Sequence, residues 1–498
     1  MKKWLVLFTV LYCLSLCGCG NKTTGNGETT DTTGDSQSAD ASETTFFFDE
    51  DSTKETMGEP ENNATKETVG KQENNTATKP TAHQHSFGMW VPQSSSTCAK
   101  EGLEKRTCKT CKADETRPIA KKPHTYKTGN NYYCSTCMTV NFESNAAVIE
   151  MGCLAGFSSG NIANYVWDVH IFDGKAYIGS GDYDKNAGKV RFFAFNLETN
   201  AWEKMENTTD MAIHSFVEIN GKLYAPGIDS TDSDGWAWGN YYVLENGKWV
   251  KNRNIPNGIH CFEMIGFDNK IFMAMGGNNE QEMIAVSSDG GKTFSHLPIY
   301  RGSNPLDPSG YDPKWFRGYD FVEYKGDLYA LLSYKINNGN YTREVYRYEG
   351  DKMVYVGRDN FSGRVGRNYW QAAFEWKDTC YIAAKGLFAI TDFSSTTNNK
   401  QAIAMPGGEI VSDAVVHNDT MYALSYKEKP NADGSYQVAI YKSTTGKAGS
   451  FAQVASFKYE GIPYSFDFDG SYFYVGIGQA SANDTSKAGM MLRVKPNA

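Results

Sequence analysis

Five cysteines and three histidines crowd a stretch of fewer than 60 residues, and they are the strongest chemical signal in the chain. Cys108-Lys109-Thr110-Cys111 and Cys134-Ser135-Thr136-Cys137 are two CxxC knuckles, with His83, His85, Cys98 and His124 around them. A CxxC turn lets two thiolates reach one tetrahedral Zn²⁺ at about 2.3 Å. Eight candidate ligands suffice for two closed four-coordinate sites with no place for a water, which points to structural and not catalytic zinc. Spacing suggests Cys98, Cys108 and Cys111 at one site and His124, Cys134 and Cys137 at the other, with the His83/His85 pair supplying what is left. It does not choose the fourth ligands. Disulfides are the competing reading, but five cysteines leave one over and leave the histidines without a role.

A second set of reactive side chains emerges when the remainder of the chain is set in register. From Asp168 onward an alternating apolar run, a tight Asp/Asn-Gly type turn and an aromatic strand recur about every 50 residues. The turns fall at Gly174, Gly221, Asn269, Gly326, Asp378, Asp419 and Gly470. Four short strands per repeat give an all-β chain, a seven-bladed β-propeller whose first strands line a central channel. Counting back from the turns places Asp168, Ser215, Glu263, Asp320, Ala372, Asp413 and Tyr464 at one equivalent position. The carboxylates Asp168, Glu263, Asp320 and Asp413 would face the channel, where they suit Ca²⁺, another cation or a polar ligand. The competing role is structural, each acid accepting hydrogen bonds from neighbouring backbone N–H groups. Trp167, His214, His260, Arg317 and Trp370 begin or precede first strands and are expected as an aromatic and cationic rim at the same mouth, fit for a carbohydrate or peptide.

The Cys/His stretch resembles a zinc-ribbon-like repeat of Gram-positive surface proteins, through His85 before Trp90, Thr97-Cys98, Arg106-Thr107-Cys108, Cys111 and His124-Thr125-Tyr126. Ser287, Asp289, Gly291, Thr293 and Phe294 match the Asp-box S-x-D-x-G-x-[ST]-[WF], and so resemble the hairpins of sialidases and related propellers. That resemblance implies a structural turn remote from chemistry. Ser443 to Phe451 is an eroded second copy. No local motif marks Arg317, Arg364 and Arg367 as the arginine triad a sialidase needs, and most repeats lack the paired glycines of kelch units. Cys153, Cys261 and Cys380 read as buried apolar thiols.

The N-terminus decides where such a ring would work. Lys2-Lys3 and the apolar run Trp4 to Leu16 have the shape of a secretory signal, too short for a permanent membrane helix. Leu16-Cys17-Gly18-Cys19 resembles a bacterial lipobox, which implies that Cys19 is lipidated and the chain held on the outer face of the cell membrane. Residues 20–82 are Thr/Ser/Asn-rich, with thirteen acids against five lysines, and read as a disordered acidic stalk. Residues 83–140 form the zinc-ribbon-like module and 141–498 the propeller. The propeller has a net charge of −8, which excludes nucleic acid as a partner. The last repeat supplies three strands only, so the run Asn145 to Met151 is expected to return and complete it. A binding protein for a glycan or protein fits these features best. The rivals are a polysaccharide hydrolase or lyase using Asp168, Glu263 or Asp320, and an assembly role within an envelope complex.

Overall fold

The computed structural model describes residues 83–126, 132–142, 146–153, 165–181, 188–277, 282–307, 309, 311–336, 339–361, 369–393, 399–478 and 487–497. The lipobox Cys19, the stalk, Asn145, Arg364 and Arg367 lie outside them. Among the described residues there is no α-helix, and none long and apolar enough to cross a membrane.

A three-stranded sheet, Val91–Ser94, Gly102–Thr107 and Asp114–Ile119, comes first. Seven sheets of four to six strands follow, antiparallel but for the pairing of Ile299–Arg301 with Met353–Arg358 in the fourth. Each holds the strand that the repeat places innermost: Val166–Phe172, Val217–Ile219, Gly258–Phe267, Tyr311–Tyr324, Ala372–Trp376, Ile410–His417 and Pro463–Phe468. Residues of all seven sheets line one cavity, and the seventh inner strand packs on both the sixth and the first. The chain is a β-propeller. The turn after each inner strand explains the repeat: Asp173/Gly174, Asn220/Gly221, Asp268/Asn269, Lys325/Gly326, Lys377/Asp378 and Asn418/Asp419 all take positive φ at both positions. Two left-handed residues match the turn to the twist of the strands it joins, so Gly, Asn and Asp recur there.

The seventh sheet is completed from the other end of the chain. Val148–Cys153 pairs antiparallel with Met490–Val494, Val494 opposite Val148 and Met490 opposite Cys153. This is the return expected of the run from Asn145, with the strand set two to three residues further on. Met151 is fully buried, and its carbonyl accepts the Trp202 indole N–H at 2.8 Å, joining this strand to the first sheet.

Two sheets carry additions. Asp210–Ala212 and Ile228–Ser230 extend the third, around a fully buried Asp210 that accepts from Tyr242 Oη at 2.5 Å and Asn240 Nδ2 at 3.0 Å. The fourth gains Ile299–Arg301 and Asn304–Pro305 at the edge opposite its inner strand. The polar segment after Ser303 therefore begins on the outer rim, with Leu306 buried in the core between the third and fourth sheets.

Ser287 Oγ and Asp289 close the turn that runs from Ser287 to Phe294. Asp289 Oδ1 accepts Thr293 N–H at 2.9 Å and its Oδ2 accepts Thr293 Oγ1 at 2.7 Å, while Gly291 N–H donates to Ser287 Oγ at 2.8 Å. Phe294 is buried against Tyr241. Gly291 has φ +90°, and a Cβ there would lie 2.6 Å from Tyr241 Oη. Gly291→Ala is thus expected to cost about 1–3 kcal/mol in chemical unfolding. An unchanged denaturation midpoint would show that the turn relaxes freely.

Candidate functional site

The two metal-type clusters are built by the small sheet and its flanks. An isolated bridge pairs Phe87 with Cys108, which brings His83 and His85 beside the first knuckle. His83 Nε2 lies 3.5 Å from Cys108 Sγ, and His85 Nδ1 lies 3.3 Å from Cys111 Sγ. Lys122 N–H donates to Thr97 O at 3.0 Å, drawing Cys98 toward His124 and the second knuckle. Cys98 Sγ is then 3.6 Å from Cys134 Sγ, and His124 Nδ1 is 3.2 Å from Cys137 Sγ. The ligand sets are His83, His85, Cys108, Cys111 and Cys98, His124, Cys134, Cys137, the atoms of each set within 4.8 Å of one another. Both histidines of the first pair thus serve one site, and Cys98 changes sides from the partition that spacing suggested. The strand Gly102–Thr107 runs between Cys98 and Cys108 and carries these neighbours in sequence to different sites, and only its pairing in the small sheet reveals it.

Each set could hold a metal ion. Edges of about 3.3–3.8 Å are those of a tetrahedron with bonds of about 2.0–2.3 Å, and the cysteines are unbridged, Cys98 and Cys134 standing well beyond a 2.05 Å disulfide bond. The Cys111 backbone N–H holds Cys108 down to about 6. At Cys134 burial opposes ionisation, but the N–H groups of Cys137 and Thr136 outweigh it and hold the thiol at about 5. Burial and the thiols of Cys137 and Cys134 push Cys98 up to about 11.

The second cluster also sits on the ring. Thr139 bridges Ala201, Val140 N–H donates to Asn200 O at 2.8 Å, and Trp202 N–H donates to Met138 O at 3.1 Å. Tyr133 and Val140 are buried with Phe195 and Trp202 of the first sheet.

The axial cavity, of about 790 Å³, is lined by Asp168, Glu263, Asp320, Asp413 and Asp467. Three of the four predicted acids accept a backbone N–H from the following sheet. Asp168 Oδ2 accepts from Phe216 at 2.7 Å, Asp320 Oδ2 from Trp370 at 3.1 Å and Asp413 Oδ2 from Phe466 at 3.0 Å. Asp467, which the repeat did not single out, closes the circle on Ile171 N–H at 2.7 Å. These acids stitch neighbouring inner strands together. Burial pushes Asp168 up to about 6 and raises Asp320 and Asp413 well above the usual carboxylate range.

Glu263 differs. It has no hydrogen-bond or ion-pair partner among the described residues, and its carboxyl is raised first by burial and then by Asp320 and Asp168.

The register behind these positions is displaced by bulges. In five of the seven inner strands pairing skips one residue: Trp167, Phe262, Tyr319, Ser412 and Tyr464. The equivalent of Asp168 in the seventh sheet is consequently Ser465 and not Tyr464. In the fifth, Trp370 N–H takes the place held by Phe216 and Phe466, so Ala372 is not the equivalent there either. A bulge re-aims one side chain, and no residue type announces it.

The aromatic rim is a buried layer. Trp167 and Trp370 are each 2% exposed and His214 is wholly buried. Trp167 packs with tilted rings against His214 at 4.7 Å and Tyr464 at 5.5 Å, and Gln371 Nε2 donates to Trp167 O at 2.9 Å. His260 pairs with Asp229 and lies beside Phe262, which also contacts His214. The two histidines belong to no common metal cluster among the described residues. Arg317 runs past Gly276 and approaches the face of Trp315 at 5.8 Å.

Neither a protein-family model nor a curated protein matches the chain. Among solved structures it is similar to the Pan2 WD40 domain of Neurospora crassa, at 11% identity and a TM-score of 0.41, covering 70% of this chain and 96% of that one. It is also similar to an auxiliary nutrient binding protein from Bacteroides ovatus, at 14% identity and a TM-score of 0.38, covering 80% of this chain and 84% of that one. A third is the β-propeller domain of the trilobed protease from Pyrococcus furiosus, at 12% identity and a TM-score of 0.33, covering 71% of this chain and 86% of that one.

Proposed function

We propose that this is a lipid-anchored surface protein, fixed through Cys19 on the outside of a bacterial membrane, whose propeller binds a glycan or protein ligand in its axial cavity. Two structural zinc ions brace the module between stalk and ring, and the Asp-box holds one hairpin. The observation that carries the reading is Glu263, the one predicted channel acid that stitches no strand. A half-buried carboxylate on the cavity wall with no protein donor is open to a ligand, and a polar group of that ligand would supply the missing partner.

Glu263→Gln tests both halves. Because folding raises this carboxyl, the ionised group burdens the folded state at alkaline pH, and the burden fades as pH falls through the raised value. The variant should melt a few degrees above the parent at about pH 8 and together with it at about pH 5. The chain from residue 20, without its lipid, should be retained by a polysaccharide or protein panel, and Glu263→Gln should weaken that retention at least tenfold. Equal melting at both pH values together with unchanged retention would refute the reading.

The same raised carboxyl favours a second reading, a glycoside hydrolase with Glu263 as general acid. It needs a second free carboxylate about 5–9.5 Å away, whereas Asp168, Asp320 and Asp413 are held by backbone donors. New reducing or unsaturated ends in the retained polysaccharide would select it.

A further inference from the structure

The inner strand of the fourth sheet, fourteen residues long from Tyr311 to Tyr324, starts well upstream of its channel acid Asp320. Its first part pairs with the end of Asp327–Ile336, which in turn pairs Lys335 with Tyr341. Trp315 and Tyr341 stand there 42% and 52% exposed, their rings edge to face at 5.9 Å. Paired in this way they make a contiguous exposed aromatic face, not a lone apolar side chain. Two cations attend the indole: Lys335 Nζ lies 5.5 Å and the Arg317 guanidinium 5.8 Å from its ring. Arg317 donates to Phe316 O at 2.8 Å, and Lys335 has Asp312, at 3.5 Å, as its ion-pair partner among the described residues.

We infer that this face binds an acidic saccharide, a uronate ring stacked on Trp315 with its carboxylate between Lys335 and Arg317. The site is separate from the axial cavity and independent of the role given to Glu263. A flat apolar ring with a hydrogen-bonding edge complements the face of a pyranose. Two cations beside it match one carboxylate per sugar. A single-stranded nucleic acid could also stack on Trp315 and meet these cations, but its successive phosphates would run onto a body of net charge −8.

The test is calorimetric titration of the chain from residue 20 with a galacturonic acid trimer, with a neutral galactose trimer and an oligothymidylate as comparators. The acidic trimer should bind, the neutral one at least tenfold more weakly and the oligonucleotide not at all. Trp315→Ala should weaken binding at least tenfold, with Trp315→Phe restoring most of it as a check on folding. Lys335→Gln should weaken it several-fold and flatten its salt dependence. Lys222→Gln, at an exposed ion pair on another sheet, should leave it intact. Failure of the acidic trimer to bind, wild-type binding by both Trp315→Ala and Lys335→Gln, or stronger binding of the oligonucleotide would each overturn the inference. A loss in Lys222→Gln as large as in Lys335→Gln would reduce the effect to net charge and sink this site.

Discussion

Deleting residues 141–152 is expected to lower the melting temperature of the ring by about 10 °C or more, and at body temperature to leave much of the chain aggregated. The segment removed is the fourth strand of the seventh sheet, and without it Met490–Val494 becomes an open edge. Its buried Met151 contributes about 1.5–3 kcal/mol. Loss of the Met151 carbonyl orphans the buried Trp202 indole N–H, at about 1–3 kcal/mol more. Glu150, which joins Lys487 Nζ at 2.7 Å and Tyr459 Oη at 2.6 Å, goes with it. Met151→Asp probes the same joint without shortening the chain. A synthetic peptide of residues 145–153 added in trans should restore part of the lost stability to the deleted chain, because pairing needs only a free strand of matching register. A deleted chain that melts with the parent would mean that the ring holds without this strand.

That closure was legible before any coordinates, since a repeat of four strands that ends after three demands one from elsewhere. The turns were legible for a similar reason. Positive φ at Gly174, Gly221 or Asn269 restricts residue type strongly, so each leaves a mark in the letters. Bulges leave none. A one-residue slip at Trp167 or Tyr464 is chosen by packing between neighbouring sheets, and it shifted the expected acid ring by a residue in the seventh sheet. The same limit explains the carboxylates. Asp168, Asp320 and Asp413 share their position with Glu263 and look alike in sequence, yet only the meeting of two sheets decides which acid receives a backbone N–H. Glutamate carries one more methylene than aspartate, and that extra length is the one local sign that Glu263 does something else. Trp315 and Tyr341 are further still from legibility. Thirty tyrosines and ten tryptophans suit strands on propensity alone, and exposure at the upstream end of an overlong strand follows from a chain path that spacing does not give.

The partition of the Cys/His ligands leads to the other large effect. Chelation is expected to release two metal ions per chain, and on our reading both are zinc. Binding free energies for structural zinc of about 10–16 kcal/mol exceed what a module of this size draws from its own core. Stripping the metal should open residues 83–140 to protease while the ring persists. The two sites should not respond alike. Cys111→Ser removes a ligand from the set of His83, His85 and Cys108, which ties the N-terminal flank to the small sheet. Cys137→Ser disrupts the set whose knuckle continues directly into Met138, Thr139 and Val140, the residues bonded to Asn200, Ala201 and Trp202. Hydrogen exchange at the Trp202 amide, which donates to Met138 O, should therefore accelerate at least tenfold in Cys137→Ser and stay near the parent rate in Cys111→Ser. Each variant should retain one metal ion. Equal acceleration in both would make the two sites one cooperative unit, and a parent chain with neither metal nor titratable thiols would replace both sites with disulfides.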